Sequence, residues 1–259
     1  IKTNHAMNIK FRLTILSFLQ FFIWGSWLIS TGGYLFSLHF TGIQIGSVYS
    51  TLGIASLFMP ALLGIVADRW VNAERLLGIS HLVGAACLLF ASTIKSPSLM
   101  FWVMLMNSMA YMPTISMNNT VSYKILEKNG YDIVKVFPPI RVWGTLGFIC
   151  AMWLSDLSGF SKSNLQFYMA AASAIGMGIY CFSLPACPPS GATKSESLLS
   201  TLGLDAFVLF KRQKMIVFFF FSMLLGAALQ ITNTFGGSFL GDFAPSFPDS
   251  FVVKHPLVM

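Results

Sequence analysis

The sequence predicts an all-α protein that crosses a membrane several times, and three observations support this fold class. Of the 259 residues, 55% are hydrophobic and only 10% are charged, whereas soluble domains carry about 25% charged residues. Apolar segments of roughly 20 residues, the length of a helix that spans a bilayer, recur along the whole chain. The basic residues concentrate in alternate connections between these segments, as they do in multi-pass membrane proteins.

Seven apolar segments are predicted to form membrane spans, each ending at a short polar connection. Their approximate bounds are 13–36, 43–67, 76–94, 98–123, 138–159, 164–186 and 215–240. The fifth segment opens on two adjacent prolines, so its helix is predicted to start near residue 138, with Arg141 in the first turn. A cation in the first turn opposes the helix macrodipole, which suggests that Arg141 is present for a functional reason.

The order of the spans predicts a four-part organisation. The parts are a cytoplasmic N-terminus at 1–12, a six-helix transmembrane bundle at 13–186, a cytoplasmic connection at 187–214 and the first helix of an incomplete second bundle at 215–259. The apolar spacing of "LLSTLGLDAFVLF" within the connection predicts a helix along the membrane surface. Many secondary transporters pair two six-helix bundles around a central site. The chain is therefore expected to be the N-terminal portion of such a protein.

The distribution of basic residues predicts the orientation and excludes one class of partner. With the N-terminus in the cytoplasm, twelve of the sixteen Lys and Arg residues fall inside and three fall outside, with Arg141 within a span. The positive-inside rule thus explains the net charge of +7. No basic stripe is interleaved with aromatic residues, so the expected partner is the lipid bilayer and no nucleic acid is expected.

The connection after the second span carries a recognisable motif, "GIVADRWVNAER". It resembles the signature G-x-x-x-D-[RK]-x-G-R-[RK] of the major facilitator superfamily, which it matches at Gly64, Asp68 and Arg69 but not at the later Gly-Arg-Arg/Lys positions. In that superfamily the acidic residue is thought to latch one helix end against its neighbours, so the resemblance implies a gating role. The alternative is an ordinary interfacial loop whose charges are solvated.

Amide side chains lie inside two predicted spans, where polar groups are costly. Asn119 belongs to "SMNNTVSY" in the fourth span, and Gln230 and Asn233 stand three residues apart on one face of the seventh. Hydrogen bonding between helices is the alternative explanation for any one of them. Amides without ionised partners, taken together, suit a neutral ligand that is heterocyclic or carries several hydroxyl groups.

Arg141, Thr145 and Phe148 stand at i, i+4 and i+7 and form one stripe of the fifth span. The stripe offers a forked donor, a hydroxyl and an aromatic face to a ligand. Gly144 and Gly147 beside it allow a neighbouring helix or a ligand to approach closely. The alternative is that Arg141 extends to the lipid headgroups.

Two further patterns bear on function. Trp24 and Trp27 share a face near the middle of the first span, where packing is favoured over ligand stacking. None of the nine acidic residues is predicted in mid-span, so a proton carrier is expected in the second bundle. The cysteines and histidines show no metal-ligand spacing, so no metal or organic cofactor is expected.

Long uninterrupted blocks resemble the bacterial nucleoside:proton symporter family of the major facilitator superfamily. These blocks are "SFLQFFIWGSWL", "VYSTLGIASLFMPALLGIVADRW", "AYMPTISMNNTVSY", "FPPIRVWGTLGFICAMW", "LGLDAFVLFK" and "MLLGAALQITNTFG". The resemblance implies twelve spans in the complete protein, an inner-membrane location, a proton as the coupling ion and nucleosides such as uridine, adenosine and xanthosine as substrates. It places Arg141, Thr145, Phe148, Gln230 and Asn233 in the substrate site.

Three alternatives to a nucleoside symporter stay open. The first is a facilitator-type carrier of another neutral solute, such as a sugar, and the second is a fragment that does not transport. The third, an integral membrane enzyme, would need a nucleophile and base or a set of metal ligands, and the four histidines form no such cluster.

Overall fold

A computed structural model describes residues 2–189, 204–243, 245–247 and 250–258. This part of the chain contains helices and connections but no strand, which confirms the predicted all-α class. The helices are α1 (Lys2–Gly25), α2 (Ser30–Ser37), α3 (Gly42–Arg69), α4 (Ala73–Ala91), α5 (Pro97–Lys128), α6 (Ile133–Leu157), α7 (Leu165–Phe182), α8 (Gln213–Gly241) and α9 (Phe251–Lys254). Two short 3-10 helices lie at Phe160–Lys162 and Leu204–Lys211.

Six helical segments of the described chain are long and apolar enough to cross a membrane. They are Ile9–Ser37, Gly42–Arg69, Ala73–Ala91, Ile133–Leu157, Leu165–Phe182 and Gln213–Gly236. The fourth predicted span, α5, has 32 residues but is not among them. Its polar side chains are buried where it packs against α3 and α4. The burial of these polar side chains between neighbouring helices accounts for the lower hydropathy of α5.

Helix α6 begins five residues before the predicted start at residue 138. The Asp132 side chain caps the helix by accepting hydrogen bonds from the backbone N–H groups of Val134 and Lys135, as N-cap residues do. The prediction that Arg141 lies in the first turn is wrong. Arg141 lies more than two turns inside α6, where the field of the helix terminus is weak.

The predicted surface helix of the connection falls partly on residues 190–203, which lie outside the described residues. Its described end, Leu204–Lys211, is a 3-10 helix rather than an α-helix. At the other end of the chain, residues 2–12 of the predicted N-terminal part are helical and continue directly into the first span as α1.

Helices α1 and α6 pack closely along their length, and small residues make this possible. A Cβ atom on Gly25 would lie 2.5 Å from the Phe148 carbonyl oxygen, and one on Gly147 would overlap the Phe18 carbonyl oxygen. The two backbones touch at these positions, as they do where small residues line contacts between membrane helices. The predicted close approach of a helix at Gly147 is confirmed, and that helix is α1.

The first span is interrupted between α1 and α2, and a side chain from α3 forms hydrogen bonds with backbone groups on both sides of the interruption. Residues 26–29 form turns. The Tyr49 hydroxyl accepts a hydrogen bond from the Gly32 N–H at 2.9 Å and donates one to the Leu28 carbonyl at 2.6 Å. Those two backbone groups would pair with each other in a continuous α-helix. Tyr49 is thus inserted into the hydrogen-bond ladder of the first span.

We expect Gly147→Ala to destabilise the bundle by about 1–3 kcal/mol, because the added methyl group must push α1 away from α6. Thermal unfolding of the detergent-solubilised chain measures this loss. The matched control is Gly176→Ala on the exposed face of α7, where a Cβ would meet nothing within 4 Å. Equal stability of the two variants would contradict the close contact between the helices.

We expect Tyr49→Phe to lower stability by about 1–3 kcal/mol, because it leaves a buried N–H and a buried carbonyl without their partner. The same thermal unfolding measurement applies. Tyr168→Phe removes a hydroxyl from an exposed ring of α7 and serves as the control. A Tyr49→Phe variant as stable as the unmodified chain would show that the break in the first span does not depend on this hydroxyl.

Candidate functional site

A cavity of about 810 Å³, here called the central cavity, lies between α1, α3, α5 and α8. Its walls are mostly apolar, with a few polar groups, which is the usual composition of small-molecule sites. The residues that line it are Trp24, Gly46, Tyr49, Ser50, Leu52, Gly53, Ser56, Met112, Met223, Gly226, Gln230, Ile231, Thr234 and Phe235.

Gln230 is the one predicted site residue that lines this cavity. Its amide nitrogen donates to Thr234 Oγ1 at 3.2 Å, and the Thr234 hydroxyl donates to the Gln230 carbonyl at 2.8 Å. Thr234 therefore fixes the orientation of the amide. Asn233 is half-buried on the same helix but does not line the cavity.

The Arg141 stripe faces α1 rather than the central cavity. The guanidinium of Arg141 lies over the ring of Phe21, 3.9 Å from the ring centre, which is a cation–π contact. Thr145 is exposed, and Phe148 is half-buried. The predicted stripe on α6 exists, but its three members differ in burial, and none of them lines the central cavity.

Trp24 connects the two groups of predicted residues. Its ring meets Phe148 edge to face, with 6.2 Å between ring centres, and it lines the central cavity together with Gln230. The ring of Phe21, over which the Arg141 guanidinium lies, is 6.2 Å from the same indole, measured between ring centres. The sequence pattern favours a packing role for Trp24. Only the three-dimensional contacts with α6 and α8 reveal this position between the stripe and the cavity.

A buried network of polar side chains contacts Trp24 through the ring of Tyr111. Tyr111, 6.1 Å from the indole, donates to the Gln20 carbonyl at 2.5 Å. The Gln20 amide nitrogen donates to Thr114 Oγ1 at 2.8 Å, and its oxygen lies 3.0 Å from His81 Nε2. The network joins α1, α4 and α5 and holds the wall of the cavity. Apolar neighbours in the sequence give no signal that would identify these residues as partners.

Asn119 lies apart from both groups. It is half-buried on α5, and its side-chain oxygen has no hydrogen-bond partner among the described residues. The neighbouring Asn118 is fully buried, and neither of its amide atoms has a partner in the described part of the chain. The structure thus brings Gln230 to the cavity and leaves Asn119 outside it.

The motif after the second span makes a contact between α3 and α5. The Asp68 carboxylate, at the end of α3, lies 3.7 Å from the Lys124 ammonium on α5. Arg69 follows at the last position of α3. A Cβ on Gly64 would meet nothing within 4 Å, so the described chain does not require a glycine at this position.

Glu74, within the same motif, contacts the segment that follows α7. Its carboxylate accepts hydrogen bonds from the Cys187 N–H at 2.8 Å and from the Asn72 amide at 3.1 Å. Burial and the nearby Glu74 carboxylate raise the pKa of the Cys187 thiol to about 11. This thiol therefore stays protonated at neutral pH and acts as a small buried apolar group.

Comparison with known proteins shows what the chain is similar to. It is 52% identical over 256 residues to the xanthosine permease of Escherichia coli and, separately, to the nucleoside permease NupG of the same organism, in each case over 98% of this chain. The chain spans 61% of the length of each of these relatives. A crystal structure of the nucleoside transporter NupG superposes with a TM-score of 0.85, covering 97% of this chain and 63% of that one.

The match to NupG identifies the fold as that of a major facilitator-type transporter, as the sequence predicts. Both relatives are named as permeases and not as enzymes. The family model described as "Nucleoside H+ symporter" matches residues 7–259, which is nearly the whole chain. The chain therefore belongs to the nucleoside H+ symporter family.

Proposed function

We propose that this chain forms part of a proton-coupled nucleoside symporter of the bacterial inner membrane, with its N-terminus in the cytoplasm. Nucleosides such as uridine, adenosine and xanthosine are its proposed substrates. The observation that carries the proposal is the central cavity, in which the Gln230 amide faces the same space as the Trp24 indole. The names of the relatives and the positive-inside orientation support it.

The chemistry of the site suits a neutral ligand with an aromatic face and several hydrogen-bonding groups. Trp24, backed by Phe148, offers a surface on which a base can stack. Gln230 offers an amide donor and acceptor. Arg141 offers a fork of donors, and the ring of Phe21 lies between Arg141 and Trp24. We propose that Arg141 hydrogen-bonds the nucleoside, that Phe148 packs beside it, and that Thr145 assists.

The remaining amides complete the proposed site. Asn233 follows Gln230 by three residues on α8 and is half-buried there. Asn119 carries an oxygen without a partner in the described chain. An unpaired buried amide is costly unless a ligand or another conformation satisfies it. We propose that both residues contact the nucleoside when the helices that carry them move during transport.

The proposed mechanism is alternating access between two bundles. Residues 13–186 form one bundle, 187–214 connect it to the next, and 215–259 open the second. Among the acidic residues whose side chains the structure describes, none lies in the middle of a membrane span. We therefore propose that the proton carrier belongs to the second bundle and that transport requires both bundles.

Labelled uridine uptake tests this function in cells without nucleoside transporters of their own. The chain is expressed alone and also joined to the part of NupG that it does not match. We expect uptake only by the joined form, and we expect a protonophore to abolish it. Uptake of a sugar instead of uridine would replace the proposal with a carrier of another neutral solute.

In the same assay we expect Arg141→Lys to reduce uridine uptake at least tenfold with unchanged abundance in the membrane. Lysine keeps the charge but loses the planar fork of donors and the flat contact with Phe21. The control is Arg75→Lys, an exposed arginine in the first turn of α4. Normal uptake by Arg141→Lys would mean that the side chain serves only to reach lipid headgroups.

We further propose that Gly64, Asp68 and Arg69 act in gating, with Asp68 latching α3 to α5 through Lys124. We expect Asp68→Asn to lower the maximal uptake rate severalfold without changing the uridine concentration at half-maximal rate. The loss would come from a weaker helix contact in one state of the transport cycle. Asp242→Asn, an exposed carboxylate beyond α8, is the control. A change confined to uridine affinity would contradict a gating role.

A further inference from the structure

A second cavity of about 330 Å³ lies at the end of the bundle opposite the N-terminus and is here called the outer cavity. Polar residues from four elements line it beside an apolar floor. They include Ser30 of α2, Asp156 of α6, Ser161 and Lys162 of the first 3-10 helix, and Thr234 of α8. Its volume is of the order of a small-molecule site, at the lower end of the usual range.

Asp156 is the unusual residue of the outer cavity. Its side chain is 2% exposed. One carboxylate oxygen, Oδ1, accepts a hydrogen bond from the Ser161 hydroxyl at 3.2 Å. The other oxygen, Oδ2, has no hydrogen-bond partner among the described residues. A buried carboxylate oxygen without a donor is energetically costly, so this oxygen is available to a ligand that brings donors.

A basic group, His255, lies near this carboxylate without supplying the missing hydrogen bond. His255, which follows α9, places Nδ1 3.5 Å from Oδ2, and Nδ1 is itself without a hydrogen-bond partner in the described chain. Lys162 lines the same cavity and is exposed to solvent. The outer cavity is therefore lined by a carboxylate whose Oδ2 has no hydrogen-bond partner in the described chain, and the His255 imidazole lies 3.5 Å from that oxygen.

The other buried carboxylate that the structure describes shows the contrast. Glu74 is 3% exposed, and each of its oxygens accepts a hydrogen bond, from the Asn72 amide and the Cys187 N–H. Its acceptors are used within the fold, so its role is structural. Asp156 is similarly buried, but only one of its two oxygens has a hydrogen-bond partner in the described chain. Unlike Glu74, Asp156 lines the outer cavity.

The outer cavity adjoins the proposed substrate site. Thr234 lines both the outer and the central cavity, and its hydroxyl is hydrogen-bonded to Gln230. Thr234 therefore lies between the outer cavity and the Gln230 amide. In the proposed orientation, the outer cavity is the one on the side from which a nucleoside enters.

We propose that the outer cavity is a second nucleoside site, in which Asp156 accepts hydrogen bonds from the ribose hydroxyls before the nucleoside reaches the central cavity. This inference rests on the proposed nucleoside transport. A carboxylate is a common acceptor for vicinal ribose hydroxyls, since it presents two oxygens to two adjacent donors. The apolar floor at Ile29, Pro256 and Leu257 offers a surface for the base.

Uptake of uridine and of 2′,3′-dideoxyuridine, which lacks both ribose hydroxyls, tests the inference. The form joined to the unmatched part of NupG carries Asp156→Asn, which keeps the shape of the side chain and removes its charge. We expect the uridine concentration at half-maximal rate to rise about tenfold, as expected for loss of a charge-assisted hydrogen bond. For dideoxyuridine we expect a change of less than twofold, and the maximal rates of both nucleosides should stay the same.

Asp242→Asn is the matched control because its carboxylate is exposed beyond α8 and does not line the outer cavity. An epitope tag reports the abundance of each variant in the membrane. Equal losses for uridine and dideoxyuridine would overturn the inference in favour of a structural role. Unchanged kinetics for both would also overturn it. If the unmodified protein takes up no nucleoside at all, the proposed function fails, and the outer site fails with it.

Discussion

The structure depends on one constraint, which is that a polar group inside a bilayer must find its partner within the protein. The break in the first span illustrates this constraint at the backbone. Leu28 and Gly32 cannot pair with each other, and the Tyr49 hydroxyl satisfies both groups. Tyr49 also lines the central cavity. The residue that satisfies the backbone groups of the first span is therefore part of the candidate site. The fold and the site therefore share the same hydrogen bonds.

The same constraint explains why the candidate site is built from aromatic and amide groups. Trp24 is held between Phe148 and Tyr111, and Tyr111 is fixed by the Gln20 backbone. Gln230 is held by Thr234 within one turn of α8. Neutral groups of this kind are cheaper to keep in an apolar environment than ionised ones. They also recognise a ligand by shape and hydrogen bonding, which suits an uncharged heterocycle linked to a sugar.

The sequence predicts the spans and the class well because both depend on patterns that are local along the chain. Hydropathy finds the apolar helices, and the placement of amides inside predicted spans points to Gln230, which lines the central cavity. Local patterns fail where a distant partner decides the outcome. The cap at Asp132 moves the start of α6, and hence Arg141, away from the position that two prolines suggest. Likewise, Tyr49 and Asp156 gain their importance only from groups far away in the sequence.

Helix α5 has a consequence for how the protein is made. It is 32 residues long, yet it is not among the segments apolar enough to cross a membrane by composition. Amides such as Asn107 and Asn118 make its transfer into lipid unfavourable when it is alone. Its packing partners α3 and α4 precede it in the chain and so leave the ribosome first. We therefore expect α5 to insert cooperatively, with α3 and α4 already in place to accept its polar side chains.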